Sequence, residues 1–567
     1  MRGSYLSIYV SVLLSLSIST PAIEAYEDVL LKAMNDEMKR SEKELRFETH
    51  PTPYFVSYFV KEVDEAIFTS SLGSSTNVSR DLNRVLLPVI RIGDRNLDSS
   101  NPLTTNPVRA DSLQTDDDYK ALRRSIWLST DQDYKFAIRT LEWKKAFLSA
   151  NNVPDRLPDM TEEKPVVSLN EKRSLTVNEG RWKEDIQKLS KVFENYPDLQ
   201  KSKITFVARS TTRWYINNEG SQLRDSNSKY ILRMFASAQA EDGMPISDYD
   251  VISTSTEEQM PPFEDMKKQV ERFASSVSAL SKAEKGIDYC GPVLFKKQAA
   301  ASFFAQVMAP NLGFAEDYIG DEDFRNPLKN TIGRRILPDF MSVVDNPAGR
   351  IFKGKPLVGG YSFDDEGVPG KKVVLIENGR LKELCRSRIP TRAASGSNGH
   401  SVGGHGVFNL LELKSSKTVS VAEMNNKLKE AAKDAGLDHI LVIESLKDDY
   451  RLDEYPSEDH KKLYFDIPSY SRQPSDPVIA YRLYVDDGRK ELVRGLEFNF
   501  VSLRAFRDIQ AVGVDAAPYL VEPSDGRARH LIAPSYLIGE LDLRPVKPEH
   551  TTLPIVESPL QLSDHHN

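Results

Sequence analysis

The chain has 567 residues, with 75 Lys and Arg against 83 Asp and Glu, a formal charge of −8, and 40% apolar residues. That length exceeds the usual size of one hydrophobic core, so at least two domains are expected. The acidic balance gives no electrostatic footprint for nucleic acid, and two cysteines are too few for a disulfide framework.

At the start of the chain, Arg2 precedes an apolar run from Tyr9 to Ile18, and small residues follow up to Ala25. The run is short for a bilayer span, so residues 1–25 read as a secretory signal peptide, with a retained anchor as the alternative. An exported protein, periplasmic or extracellular, is the expectation. No later stretch is apolar enough for a membrane helix, and no stable membrane insertion is expected. In an oxidising compartment Cys290 and Cys385 could pair; two separate buried thiols are the alternative.

Asp28–Leu45 has Leu30, Leu31, Met34 and Met38 on one helical face. Pro53–Val60 and Ala66–Ser70 read as strands, and so does Arg84–Ile92, where Pro88 favours an edge or a bulge. Asn77-Val78-Ser79 is a glycosylation sequon where the host modifies exported proteins. Asn96–Thr115 reads as a surface loop, and Asp117–Leu128 and Asp131–Ala150 read as two helices. A polar connector, Asn151–Leu175, and a helix, Arg181–Glu194, follow. Lys203–Asn217 and Ser228–Gln239 form an expected hairpin about Asn218–Ser221. Pro262–Ala283 is a long amphipathic helix, and Glu284-Lys285-Gly286 after it marks the expected domain boundary. The division is then 26–286, 287–545 and a proline-bearing mobile tail, 546–567.

The second half opens on Tyr289–Phe314, a short buried strand and then a helix from Gln298 that stops by Pro310. Ala300, Phe303, Phe304, Val307 and Met308 recur at helical spacing, so this helix is expected at the centre of the domain. Gly359–Pro369 holds three adjacent acids, Asp364, Asp365 and Glu366, read as a solvated turn rather than a cation site. Val373–Leu381 is a hairpin about Asn378-Gly379. Ser387-Arg388-Ile389-Pro390 and the glycine-rich Ser397-Asn398-Gly399-His400 lead to Gly403-Gly404-His405. Ser420–Gly436 reads as a helix and His439–Glu444 as a strand. The expected fold class is α+β: an N-terminal antiparallel sheet with flanking helices, then a β-rich domain around a central helix.

The strand–helix of Tyr289–Phe314, the Asp364–Pro369 run, the Ser387–His400 segment and Val493-Arg494-Gly495-Leu496 together resemble the TldD/PmbA family of metallopeptidases. The resemblance covers both halves, with Asn101–Leu175 and parts of Lys447–Pro477 as less matched insertions. It implies a zinc motif, H-E-x-x-x-H, on the central helix, yet the matching positions here are Gln306, Val307 and Asn311. Zinc selects imidazole, thiolate or carboxylate donors, and these residues offer none. The family's C-terminal cysteine ligand is also missing from Leu520–Leu537. The resemblance therefore implies a pseudo-peptidase without catalytic residues, metal or cofactor. A TldD/PmbA-like partner subunit, self-association and extended peptides are the implied partners. The alternative is an active metallopeptidase, using a non-standard site or a catalytic partner.

Ser397, Asn398, His400 and His405 are the candidate cleft or ligand loop. His400 and His405, with Cys385 upstream, could assemble a zinc site if the loops converge. An exposed or backbone-bonded loop residue is the plainer role for His400.

Overall fold

The computed structural model describes residues 28–47, 49–100, 110–151, 157–314, 326–392, 394, 396–447, 473–521, 527–547 and 560. The expected signal peptide and almost all of the expected tail lie outside them.

Helix α1 (Val29–Glu44) starts where the Asp28 carboxylate accepts the Leu31 N–H at 2.9 Å. The chain then runs as one 19-residue strand, Pro53–Ser71, paired antiparallel with Ser74–Ile92 on one side and Leu199–Asn217 on the other. Two short strands were expected here because Lys61, Glu62, Asp64 and Glu65 interrupt the apolar pattern. The sheet neutralises those charges across its strands: Arg84 and Lys172 meet Glu62, and Arg209 meets Glu65. Gln222–Gln239 and Pro245–Thr254 extend the sheet through the expected Asn218–Ser221 turn. Among the described residues, only Asp111–Ser112 pairs outside the strand of Pro88, at Val85 and Leu86, as suits a proline near a sheet edge.

Alternation along the central strand divides its side chains between two faces. Val56, Tyr58 and Val60 pack under α1 and α2 (Tyr119–Asn151). Further along that face, Phe68 and Phe206 pack with α3 (Glu179–Ser190) and α4 (Phe263–Ser281), where Trp182 stacks on Phe206 at 3.6 Å between centroids. Helix α2 is continuous, not two helices. At the expected break, the Thr130 hydroxyl lies 2.7 Å from the Ile126 carbonyl and 2.9 Å from the Tyr58 hydroxyl, so its polarity is satisfied inside the helix packing. On the opposite face, Phe59, Val85, Leu87, Tyr215 and Leu223 pack against Phe363 of the second half.

Among the described residues, the second half holds two large sheets and two small two-stranded ones. The larger is mixed, with Tyr289–Phe295 between the parallel His439–Leu446 and the antiparallel Tyr536–Pro545. The smaller centres on Met341–Asp345 and Leu410–Ser415. Helix α5 (Lys297–Val307) lies in the core the two sheets share, with Phe295, Phe303, Phe498, Leu375, Leu411 and Leu531 in one buried cluster. Helix α6 (Val421–Asp434), opened by a Ser420–Glu423 capping box, packs its Met424 and Leu428 on the outer side of the larger sheet. The Asn378-Gly379 turn carries positive φ at both residues, as a tight hairpin requires. The architecture is α+β with a β-rich second domain around a central helix.

Two expectations are corrected. Cys290 is exposed and Cys385 buried, and both are free thiols. The acidic turn is not solvated: Asp364 is fully buried, and its carboxylate accepts the N–H groups of Glu366, Val368 and Ser401 at 2.9–3.0 Å. It organises a folded turn, and its burial pushes the carboxyl pKa well up.

Candidate functional site

The last turn of α5 and the 3₁₀ turn after it, Ala309–Leu312, carry the three motif positions. The Gln306 side-chain oxygen accepts the Ser475 N–H at 2.7 Å. Val307 is a core residue at 5% exposure. Asn311 is buried, and its amide nitrogen donates to the Val307 carbonyl at 2.8 Å. A zinc ion does not fit this set, since neutral amides and an isopropyl group supply neither strong ligands nor a base.

The chain leaving this turn runs beside Cys385, with Cys385 N–H donating to the Leu312 carbonyl and Phe314 N–H to the Cys385 carbonyl, both at 2.8 Å. Three donors from separate segments converge here. Asp345 ends a strand of the smaller sheet, Cys385 follows the Asn378-Gly379 hairpin, and His400 precedes the Ser401–Val402 strand. All three are 0% exposed. Their ligand atoms lie within 4.8 Å of one another, with Asp345 Oδ2 3.7 Å from Cys385 Sγ and 3.8 Å from His400 Nε2.

The imidazole is oriented by its other nitrogen. His400 Nδ1 faces two acceptors, the Asn398 carbonyl at 2.9 Å and Asn398 Oδ1 at 3.0 Å, so the network assigns the proton to Nδ1. Asn398 is itself fixed, accepting Arg386 N–H at 2.7 Å and donating to the Leu384 carbonyl at 2.9 Å. That leaves the His400 Nε2 lone pair buried without a hydrogen-bond partner. Asp345 is held by the Asn409 and Leu410 N–H groups at 2.7 and 2.9 Å. Burial lowers the His400 pKa; burial, then the neighbouring Asp345, raises that of the Cys385 thiol.

The structure thus unites Cys385 and His400, which the sequence suggested, with Asp345, which it did not. His405 is not part of the cluster: it lies half-buried on the facing short strand, its pKa lowered by burial to about 4. Ser397 and Asn398 border an open basin of about 550 Å³ with Lys371, Lys372, Lys382 and Arg386. Ser397 does not face His400 as a nucleophile would; its hydroxyl contacts the Arg386 carbonyl and the Gly399 N–H.

The role of Arg388 was also not visible in sequence. Its guanidinium, 1% exposed, forks onto Glu219 at 2.7 and 3.0 Å and donates to the Thr161 carbonyl at 2.7 Å. Arg95 reaches the same Glu219 at 2.6 Å. The Glu366 carboxylate accepts the Arg388 backbone N–H at 2.6 Å. The acidic turn and the Ser387–Pro390 segment therefore fasten the two halves of the molecule together.

A long-stranded sheet is joined to a double-sheet domain around one helix, and that second domain is metallopeptidase-related. Residues 289–447 match the PmbA/TldA metallopeptidase C-terminal domain, which supports membership of the TldD/PmbA family. Metalloprotease MJ0996 of Methanocaldococcus jannaschii is 42% identical over 60 residues, which are 11% of this chain and 12% of that protein. The metalloprotease TldD homologue of Buchnera aphidicola is 38% identical over 63 residues, again 11% and 12% of the two chains. The matched stretch thus spans only 12% of either curated relative. The crystal structure of TldE from Thermococcus kodakarensis shares the fold at a TM-score of 0.54 and 14% identity, over 90% of this chain and 99% of that one.

Proposed function

We propose that the chain is an exported, non-catalytic member of the TldD/PmbA family that binds extended peptides and works in an assembly, with a family partner subunit or with itself. The observation that carries this reading is the exit of α5, where Gln306, Val307 and Asn311 occupy the positions of the family's zinc motif and two of them are spent on internal contacts. A catalytic zinc lowers the pKa of its water to about 7, and without that metal a peptide carbonyl meets no competent nucleophile here. The open basin beside Ser397 and Asn398 is lined by Lys371, Lys372, Lys382 and Arg386 together with Glu377 and Glu383, and this mixed polar rim suits the backbone and polar side chains of an extended peptide.

Hydrolysis of unfolded polypeptides by the full chain, alone and with added zinc, tests this reading, and none is expected. Fluorescently labelled extended peptides should bind, and light scattering should give a mass above that of one chain, alone or with a co-produced family member. Turnover that survives repurification would overturn the non-catalytic reading, and a strict monomer that binds no peptide would overturn the rest.

A further inference from the structure

We propose that Asp345, Cys385 and His400 form a closed structural metal site for a thiophilic divalent cation, zinc above all. The donor set is one thiolate, one imidazole and one carboxylate, a combination that zinc prefers and that magnesium and calcium do not. Ligand atoms on a tetrahedral zinc with ordinary bond lengths stand about 3.3–3.5 Å apart. The two separations from Asp345 Oδ2, 3.7 and 3.8 Å, exceed that by up to about half an ångström, and the Cys385–His400 separation lies within 4.8 Å, so the set would contract around an ion.

The surroundings are those of a ligand set. His400 gives its Nδ1 proton to Asn398 and turns a bare Nε2 inward, the arrangement that fixes tautomer and direction for a metal-bound histidine. Asp345 is held by two backbone N–H groups, so the carboxylate is already in place. A buried imidazole nitrogen with no partner costs stability unless something fills its lone pair. A cation would do so. On binding, the Cys385 S–H proton leaves to solvent, and the thiolate charge offsets that of the ion.

The enclosure decides the type of site. Three protein donors leave the fourth tetrahedral position to a water; catalytic zinc exchanges that water with substrate, whereas all three donors here have no exposed surface, which shuts substrate out. The ion would bind together the end of the Met341–Asp345 strand, the segment after the Asn378-Gly379 hairpin and the glycine-rich loop. The inference is independent of the proposed function, because a closed site gives a peptide nothing to coordinate.

Cobalt makes the site visible, since a thiolate on Co²⁺ gives an intense charge-transfer absorption. The chain has two cysteines, so in the full-length Cys290→Ser variant any such band reports Cys385 alone. One Co²⁺ per chain, a charge-transfer band and its loss on adding Zn²⁺ are expected. His400→Gln should weaken Zn²⁺ binding at least about tenfold. Absence of the band in Cys290→Ser, or unchanged Zn²⁺ affinity in a folded His400→Gln chain, would overturn the proposal. Peptide hydrolysis by the same samples would count against the non-catalytic reading alone.

Discussion

Arg388 of the second domain and Glu219 of the first form a two-pronged ion pair beneath the surface, at 2.7 and 3.0 Å, with the arginine 1% exposed. Arg388 also lies 5.1 Å from the Phe55 ring centre, and Arg95 shares its carboxylate. A planar guanidinium satisfies both oxygens of Glu219 at once, which a lysine cannot do. Burial opposes ionisation of Glu219, but Arg388 and then Arg95 outweigh it and hold the pKa below the usual range.

Removing Arg388 should leave Glu219 with Arg95 alone and the Thr161 carbonyl without its donor. Arg388→Ala is expected to cost about 1.5–3 kcal/mol, read from the denaturation midpoint and slope. Arg388→Lys should recover only part of the loss. An Arg388→Ala chain as stable as the original would mean that the pair contributes nothing.

A pH dependence follows from Asp248. It is almost fully buried in the Pro245–Thr254 strand, and burial pushes its carboxyl pKa up to about 7. The folded state then holds the proton more tightly than the unfolded chain. This contribution to stability is fully present below about pH 4 and is lost as the pH rises through about 7. Asp248→Asn should therefore gain relative to the original chain between pH 5 and pH 8, by roughly 2–4 kcal/mol. Thermal melts of both proteins at the two pH values check this; a difference that stays constant refutes it.

Rebuilding the family motif at α5 should fail for a structural reason. Val307 is 5% exposed within the main core of the second domain, and a carboxylate there has no cation prepared for it. Gln306→His with Asn311→His is expected to yield a folded chain, whereas adding Val307→Glu should destabilise it by several kcal/mol. Denaturation of the double and triple variants separates the two effects. Equal stability would show that the site retains room for a base.

Export is tested at the other end of the chain. If the Tyr9–Ile18 run directs secretion, the mature protein begins at or near Tyr26. N-terminal sequencing of protein recovered outside the cytoplasm checks it; a cytoplasmic protein that starts at Met1 refutes it.

Local signals carried much of the second domain. The α5 apolar spacing and the Asn378-Gly379 turn determine their elements by themselves, and both stand where the sequence placed them. The long first-domain strands were harder to read because Glu62 and Glu65 interrupt the alternation, and their neutralising partners Arg84 and Arg209 lie on other strands. The same limit hid Asp345. Its companions stand 40 and 55 positions away, and no spacing rule links residues brought together by three separate loops. The acidic run was misread for a related reason: what solvates Asp364 is backbone N–H, not water.

The packing of Phe363 against Tyr215, beside the Arg388 pair, bears on the gene as well as on the protein. A side chain added at Gly367 would stand 2.2 Å from the Tyr215 ring, so the acidic turn is moulded to the sheet it covers. If the reading frame were split between Ser281 and Tyr289, each fragment would expose an aromatic face, and Arg388 would lose its carboxylate while Glu219 kept Arg95. Expressed alone, each fragment is therefore expected to be less soluble than the whole chain unless the residues of that seam are changed as well.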